Sequence, residues 1–258
     1  MSKLDEVSSI FREHNYFAEQ DYVVLNLSAI FFRKEAISPG FKNHIIALVQ
    51  KIAESTNVIV PGFTFFKRDD RRFSVLDTLP TLGWFNSLIF DILKSQDVPC
   101  SRTNSCTHSF FILGRDALLI SEKTVPETAF GDKSIFDYLE SHIGLWVNIG
   151  CEPNQGFSLI HRVEHLLAVP YRELITFNVK YTDKHSSTTQ VEYEYMTRQK
   201  AYDTHQCFEK LLQNARFKAN NLSKLEYEHV SIHRYSELTA CLCEIIDKNK
   251  FYFIRHSE

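Results

Sequence analysis

The chain has 258 residues, 44% hydrophobic, 13% aromatic and 24% charged, a balance that excludes a disordered or fibrous protein. Its 29 basic and 32 acidic residues leave a formal net charge of −3, so there is no overall electrostatic case for binding nucleic acid. Six cysteines, at positions 100, 106, 151, 207, 241 and 243, are spread too sparsely for a disulfide scaffold and contain no C-x-x-C pair to suggest a structural zinc site; they read as reduced thiols.

The opening stretch MSKLDEVSSIFREHNYF carries a charge every few positions, and no later run approaches the ~18 apolar residues of a membrane span. A cytoplasmic protein with no membrane insertion is therefore expected. With eight Gly, seven Pro and no low-complexity tract, residues 1–258 are expected to form a single domain. Tyr22–Leu27 reads as a strand, Phe41–Glu54 as an amphipathic helix, and Val58–Val60 as a second strand ending at Pro61. Leu82–Lys94 places apolar residues three and four apart, which predicts a helix. Ser109–Leu113 and Leu118–Ser121 read as short strands flanking Gly114. Ile135–Ser141 reads as a helix, Leu145–Ile149 as a buried strand closed by Gly150, and Ser158–Ala168 as a helix ending before Pro170. Leu174–Tyr181 and Gln190–Tyr195 alternate like antiparallel strands around the polar turn TDKHSSTT, a hairpin excursion within 173–200. Phe208–Arg216 and Tyr235–Asn249 follow as helices, with Phe251–Ile254 as a closing strand. The order is that of a layered α/β protein.

The densest chemistry lies in Ser158-Leu-Ile-His161-Arg-Val-Glu164-His165, where three titratable groups share adjacent turns of one helix. A carboxylate three residues after a histidine can fix its tautomer and stabilise its imidazolium, which makes a general base. The plain alternative is a solvated helix face on which Arg162 pairs with neighbouring acids. The same letters fit H-x-x-E-H, a zinc-hydrolase pattern, with Glu237 or Glu244 as third ligand. No metal site is expected, because the letters are few and histidines are numerous.

From Pro61 to Arg172 the chain resembles the aminoglycoside 3-N-acetyltransferase family. Val60-Pro-Gly-Phe-Thr64 is similar to the family's M-P-T-F-T, and Leu79-Pro-Thr-Leu-Gly83 to its T-P-S-x-M-G. Arg102-Thr-Asn-Ser-Cys-Thr-His-Ser109-Phe is similar to its R-S-x-H-P-x-x-S-F. Phe130-Gly-Asp-Lys-Ser134, the strand LWVNIG and the 158–165 segment resemble its G-x-x-S-P, L-L-L-G and T-x-L-H-x-x-E blocks, in the same order. The resemblance implies a layered α/β/α fold and direct transfer of an acetyl group from acetyl-CoA to a sugar amine. It also implies His161 as base, Glu164 orienting it and the Ser158 hydroxyl assisting the carbonyl.

The departures redirect the substrate expectation. The family's V-H-S-S-L segment corresponds to Val24-Leu-Asn-Leu-Ser28, its H-P pair to Ser105-Cys106, and its F-D-P to Ser74-Val75-Leu76. Ser28, Arg102, Thr103 and Ser109 remain as expected donor contacts, with Arg102 either meeting a CoA phosphate or forming a structural ion pair. Where the family tends to present acids to a polycationic antibiotic, this chain has Lys67-Arg-Asp-Asp-Arg-Arg72. Lys67, Arg68, Arg71 and Arg72 would repel such an acceptor and attract a phosphate-bearing one. An amino sugar of surface-polysaccharide synthesis, carried on a nucleotide diphosphate, is the expected acceptor; a solvated loop of mutually paired charges is the alternative. His108 matches no specified family position and is assigned no role. A family member that has lost turnover and acts as a binding protein is the competing function.

Overall fold

A computed structural model describes residues 17, 19–28, 32, 40–66, 71–81, 84–95, 99–151, 156–199, 202, 210–222 and 230–254. In chain order the elements are β1 (Tyr22–Leu27), α1 (Phe41–Ala53), β2 (Asn57–Pro61), β3 (Arg72–Ser74), α2 (Trp84–Ser95), β4 (Cys100–Arg102), β5 (Phe110–Leu113), α3 (Ala117–Glu122), α4 (Ile135–Ser141) and β6 (Gly144–Ile149). They continue with α5 (Leu159–Leu166), β7 (Arg172–Thr182), β8 (Thr188–Arg198), α6 (Lys210–Gln213), α7 (Ala215–Ala219), β9 (Val230–Arg234) and α8 (Tyr235–Lys248).

A six-stranded sheet runs β4-β5-β2-β1-β6-β9, and β1 is parallel to both β2 and β6. Its central strands are buried on both faces, which explains why they read as unbroken apolar runs. Alternate residues divide between two cores: Tyr22, Val24, Ile59 and Trp146 face α3, α4, α5 and α8. Val23, Leu25, Val58 and Val147 face α1 and α2. The result is the expected α/β/α layering. A second sheet, β3-β7-β8, carries the late hairpin, whose strands extend several residues past the expected bounds and pair from Arg172↔Arg198 to Thr182↔Thr188.

Two expected strands are corrected. Leu118–Ser121 belongs to helix α3, where Ala117, Ile120 and Ser121 are buried while Leu118 and Leu119 are exposed, a helical and not an alternating pattern. Gly114, at φ 135°, turns the chain into it, a conformation open to glycine. Phe251–Ile254 is a turn ending in an isolated bridge residue, with Tyr252 and Ile254 N–H groups bonded back to Asn249 and Phe251. The expected helix 208–216 is split, because the Asn214 side chain accepts from the Arg216 and Phe217 amides and starts a new helix there. Strands β3, β4 and β9 were not anticipated. The described cysteines, at 100, 106, 151, 241 and 243, are free thiols; Cys207 lies outside the described residues. Among the described residues, no helix is long and apolar enough to cross a membrane.

Candidate active site

Because β1, β2 and β6 are parallel, their carboxyl ends share one edge of the sheet, where α/β proteins place ligands. Since β5 is antiparallel to β2 and pairs Phe110 with Pro61, the loop before β5 lies at that same edge. Helix α5 also starts there, after β6 ends at Gly150, a residue at φ 67°. Trp146 ties β6 to the segment leading into α5 by donating from Nε1 to the Gly156 carbonyl at 2.7 Å. Leu159, Ile160 and Val163 bury the apolar face of α5, each worth about 2 kcal/mol.

The opposite side of this helix carries the dyad. His161 Nδ1 lies 2.7 Å from Glu164 Oε2, and the Glu164 side chain is fully buried while that of His161 remains 26% exposed. The Tyr171 hydroxyl donates to Glu164 Oε1 at 2.7 Å, and Arg172 Nε donates to Oε2 at 2.9 Å. Arg172 Nη2 is also 3.1 Å from His161 Nδ1. With Nδ1–H donating to the carboxylate, that nitrogen has no lone pair for the guanidinium, so Arg172 serves Glu164 and the basic nitrogen of the ring is Nε2. Burial alone would raise the Glu164 pKa, but His161, Arg172 and Tyr171 together outweigh it and hold the carboxyl below its ordinary value.

A lowered folded-state pKa means the unfolded chain binds the proton more tightly. Glu164 therefore adds stability that is present above its ordinary value of 4.5 and is lost as pH falls through the lower folded value. Glu164→Gln should be clearly less stable than wild type at neutral pH, and the gap should narrow below pH 4.5, as read from urea midpoints at both conditions. A pH-independent gap would contradict an ionised carboxylate.

Arg162, on the same turn, pairs with neighbouring acids as the plain reading of the segment expects, but at 4% exposure it lies on a buried and not a solvated face. It pairs with both oxygens of Glu140 at 2.8 Å and with Asp137 at 3.0 Å, and it donates to the Phe130 carbonyl. It thereby locks α5 to α4 and fixes Phe130, whose ring centroid is 5.9 Å from that of His161. Ser158 stands at the start of α5 without capping it; its Oγ is buried and has no hydrogen-bond partner. Asn26 and Asn148 sit side by side on β1 and β6, and Asn26 Nδ2 and Asn148 Oδ1 are likewise buried without partners. An unspent donor, an unspent acceptor and an unspent hydroxyl at one sheet edge fit a ligand bearing amide and carbonyl groups. The two asparagines were missed in the sequence, although both sit at strand ends where an apolar residue is the norm.

The expected donor contacts are redistributed. Ser28 does lie at the β1 carboxyl end, its N–H donating to the Ile149 carbonyl at 3.0 Å. Arg102, Thr103 and Ser109 are buried, with exposures of 1%, 1% and 0%. Arg102 donates to Ser109 Oγ, the Gly62 and Thr78 carbonyls and Thr64 Oγ1, and its guanidinium lies over the rings of Phe73 and Phe111. Thr103 Oγ1 accepts from the Phe110 amide at 2.8 Å, and Ser109 Oγ donates to Gly62. These three hold the loop together; the Arg102 guanidinium is spent on neutral oxygens and forms no ion pair with any described acid.

Of the basic cluster, Lys67 and Arg68 lie outside the described residues. Arg71 and Arg72 are exposed, and Arg71 stacks 4.3 Å over Phe177. A ladder of rings connects that guanidinium to the dyad: Phe177 to Tyr195 at 6.0 Å, Tyr195 to His108 at 6.5 Å, His108 to Phe130 at 4.8 Å, then His161. His108, given no role from the sequence, thus stands inside the site. Tyr193 is fully buried packing, while half-buried Tyr195 lines the ladder.

A cavity of about 190 Å³ opens beside Glu164 and Arg172, between Leu174 and Met196. A larger depression of about 540 Å³ lies at the opposite edge, around Asp21, Asn57 and Asp116, and shares no residue with the dyad. Among the described residues no three His, Cys, Asp or Glu side chains are grouped to hold a metal ion. Glu237 and Glu244, considered as third ligands, pair instead with Arg234 and with Arg216 and Lys248.

A family model described as aminoglycoside 3-N-acetyltransferase matches residues 38–246. No curated protein sequence matches the chain significantly. Among solved structures, the chain is similar to AAC-IIIb in a binary complex with CoASH, with 14% identity, TM-score 0.71, and coverage of 100% of this chain and 99% of that one. It is similar to the apoenzyme of aminoglycoside acetyltransferase AAC(3)-IVa, with 13% identity, TM-score 0.70, and coverage of 99% and 92%. The YokD protein from Bacillus subtilis gives 14% identity, TM-score 0.69, and coverage of 96% and 100%. At these identities the likeness establishes a shared fold.

Proposed function

Because the chain belongs to the aminoglycoside 3-N-acetyltransferase family, we propose that it moves the acetyl group of acetyl-CoA directly onto the amine of a nucleotide-linked amino sugar, with His161 as the base. The observation that carries this reading is the His161–Glu164 pair, buried on the carboxylate side and accessible on the imidazole side. An amine is mostly protonated near neutral pH and must lose a proton to attack a thioester. His161 Nε2 takes that proton, and Glu164, itself held by Tyr171 and Arg172, stabilises the resulting imidazolium. The amine nitrogen bonds to the carbonyl carbon and the carbonyl electrons move to oxygen; their return expels the CoA thiolate, which recovers the first proton from His161, and the second N–H proton of the N-protonated amide passes to solvent. No cysteine intermediate is needed.

Acetyl-CoA as co-substrate agrees with the family and with the CoASH complex of AAC-IIIb. The unpartnered amide atoms of Asn26 and Asn148 suit the amides of its pantetheine arm, and the unpartnered Ser158 Oγ at the start of α5 supports its reading as the hydroxyl that assists the carbonyl. The retained dyad speaks against a member without turnover. A zinc hydrolase is disfavoured by the chemistry of the donor set: the glutamate that would activate water is committed to His161, Tyr171 and Arg172.

The acceptor reading rests on the ladder of rings ending at Arg71, a wall suited to a planar base and an anionic linkage more than to a polycation. Comparing kcat/KM for nucleotide-diphosphate amino sugars and for aminoglycosides tests it. The nucleotide-linked acceptors should be preferred, and Arg71→Ala should reduce that preference. An aminoglycoside turned over more efficiently than every nucleotide-linked amino sugar would overturn the acceptor assignment and leave the transfer chemistry standing.

A further inference from the structure

His108 lies on the loop that enters β5, and its backbone is fixed from both sides: Thr64 N–H donates to the Thr107 carbonyl at 2.7 Å, and Gly62 N–H to that of Ser109 at 2.8 Å. The ring is 7% exposed and boxed by Phe63 at 4.9 Å, Phe130 at 4.8 Å, Phe65 at 5.9 Å and Tyr195 at 6.5 Å. Phe130 is shared with His161, so the two imidazoles flank one aromatic ring. The only polar contact of the His108 ring among the described residues is Nδ1 to Thr107 Oγ1 at 2.8 Å, while Thr107 Oγ1 also meets the Tyr193 hydroxyl.

That relay admits a tautomer with the proton on Nε2. The Tyr193 hydroxyl also lies 3.5 Å from Ser105 Oγ, but its shorter contact is to Thr107; with Tyr193 donating there, Thr107 donates to Nδ1 and the imidazole proton sits on Nε2, the tautomer taken for the proposal below. Burial first, then the neighbouring His161 and Arg172, pull the His108 pKa down to about 3. Such a ring is too weak a base to compete with His161 for the amine proton. It is instead a permanently neutral N–H donor with dry aromatic walls and an unspent Nε2–H.

We propose that His108 is a further catalytic group, its Nε2–H donating to the thioester carbonyl oxygen as that oxygen acquires charge. The assignment rests on the acyl-transfer reading above and adds to it a second hydrogen-bond donor, beside the Ser158 hydroxyl, for the carbonyl oxygen that receives the displaced electron pair. A fixed donor in a water-poor pocket is already oriented when charge develops, so its effect falls on the transition state more than on substrate binding. The π electrons of the carbonyl pass to the oxygen held by His108 and return when the carbon–sulfur bond breaks; His108 itself neither gains nor loses a proton.

Steady-state kinetics of His108→Phe, His108→Gln and Thr107→Val, each checked by thermal unfolding, test this. His108→Phe should lower kcat about 100-fold with both KM values little changed, as expected for loss of one oxyanion donor. His108→Gln, which keeps a neutral N–H at similar reach, should recover part of that loss. Thr107→Val, which frees the tautomer without removing the ring, should fall between. Wild-type kcat in His108→Phe, equal losses in the Phe and Gln variants, or a raised KM for the amine with kcat unchanged would each overturn the proposal. If wild type itself releases no thiol with any amine, the transferase reading falls and takes this proposal with it.

Discussion

His161→Ala is expected to lower kcat by about a thousandfold while leaving acetyl-CoA binding and the unfolding midpoint near wild type. The asymmetry of the dyad dictates this outcome. Glu164 is buried and keeps two partners, Tyr171 and Arg172, when the imidazole is removed, so no uncompensated carboxylate is created. His161 is the accessible member, and its truncation opens space at a surface already 26% exposed. The result separates a catalytic from a structural histidine. Isothermal titration of acetyl-CoA and a thermal melt on the same preparation provide the controls, and loss of the cooperative transition would mean that His161 holds the fold.

Arg102→Met should have the largest effect on stability, a loss of about 4 kcal/mol. This guanidinium is 1% exposed and serves two carbonyls and two hydroxyls drawn from the segment after β2, from the segment after β3, and from the loop before β5. Removing it strands the buried Gly62 carbonyl and the Thr64 and Ser109 hydroxyls, and methionine replaces only the volume. Arg102→Lys should rescue little, since one ammonium cannot reproduce a planar fork directed at four oxygens. Urea denaturation reads the loss directly. Had Arg102 met a CoA phosphate, the substitution would instead raise KM for acetyl-CoA at unchanged stability, which is the result that would contradict the structural role.

The sheet was legible because its central strands are buried on both faces and therefore appear as apolar runs such as YVVLNL, VIV and LWVNI, the last two bounded by Pro61 and Gly150. The dyad was legible because its members lie three residues apart on one helix, where spacing alone fixes proximity. What escaped depends on contacts between distant segments. His108 acquires its position from Phe63, Phe130, Thr107 and Tyr195, which come from four parts of the chain. Its only local signal is a place two residues ahead of β5, at the edge where β2 ends. Arg102 carried the opposite difficulty: its local pattern suits a phosphate, and nothing in the letters reveals that its partners surround it. The strand expected at Leu118–Ser121 failed because four apolar-rich residues suit either period, and the burial of Ala117 and Ile120, outside or at the edge of the run's alternation, decides for a helix. Strands β3 and β4 are three residues each and draw their stability from neighbours, Arg72–Ser74 from β7 and Cys100–Arg102 from β5.

The measurement that tests the central claim most directly is product analysis by mass spectrometry after incubating the purified protein with acetyl-CoA and a nucleotide-linked amino sugar. The account predicts one N-acetylated sugar for each CoA thiol released, with neither product formed by His161→Ala. Thiol release without an acetylated acceptor, or acetylated product that persists undiminished in His161→Ala, would contradict direct transfer with His161 as the base.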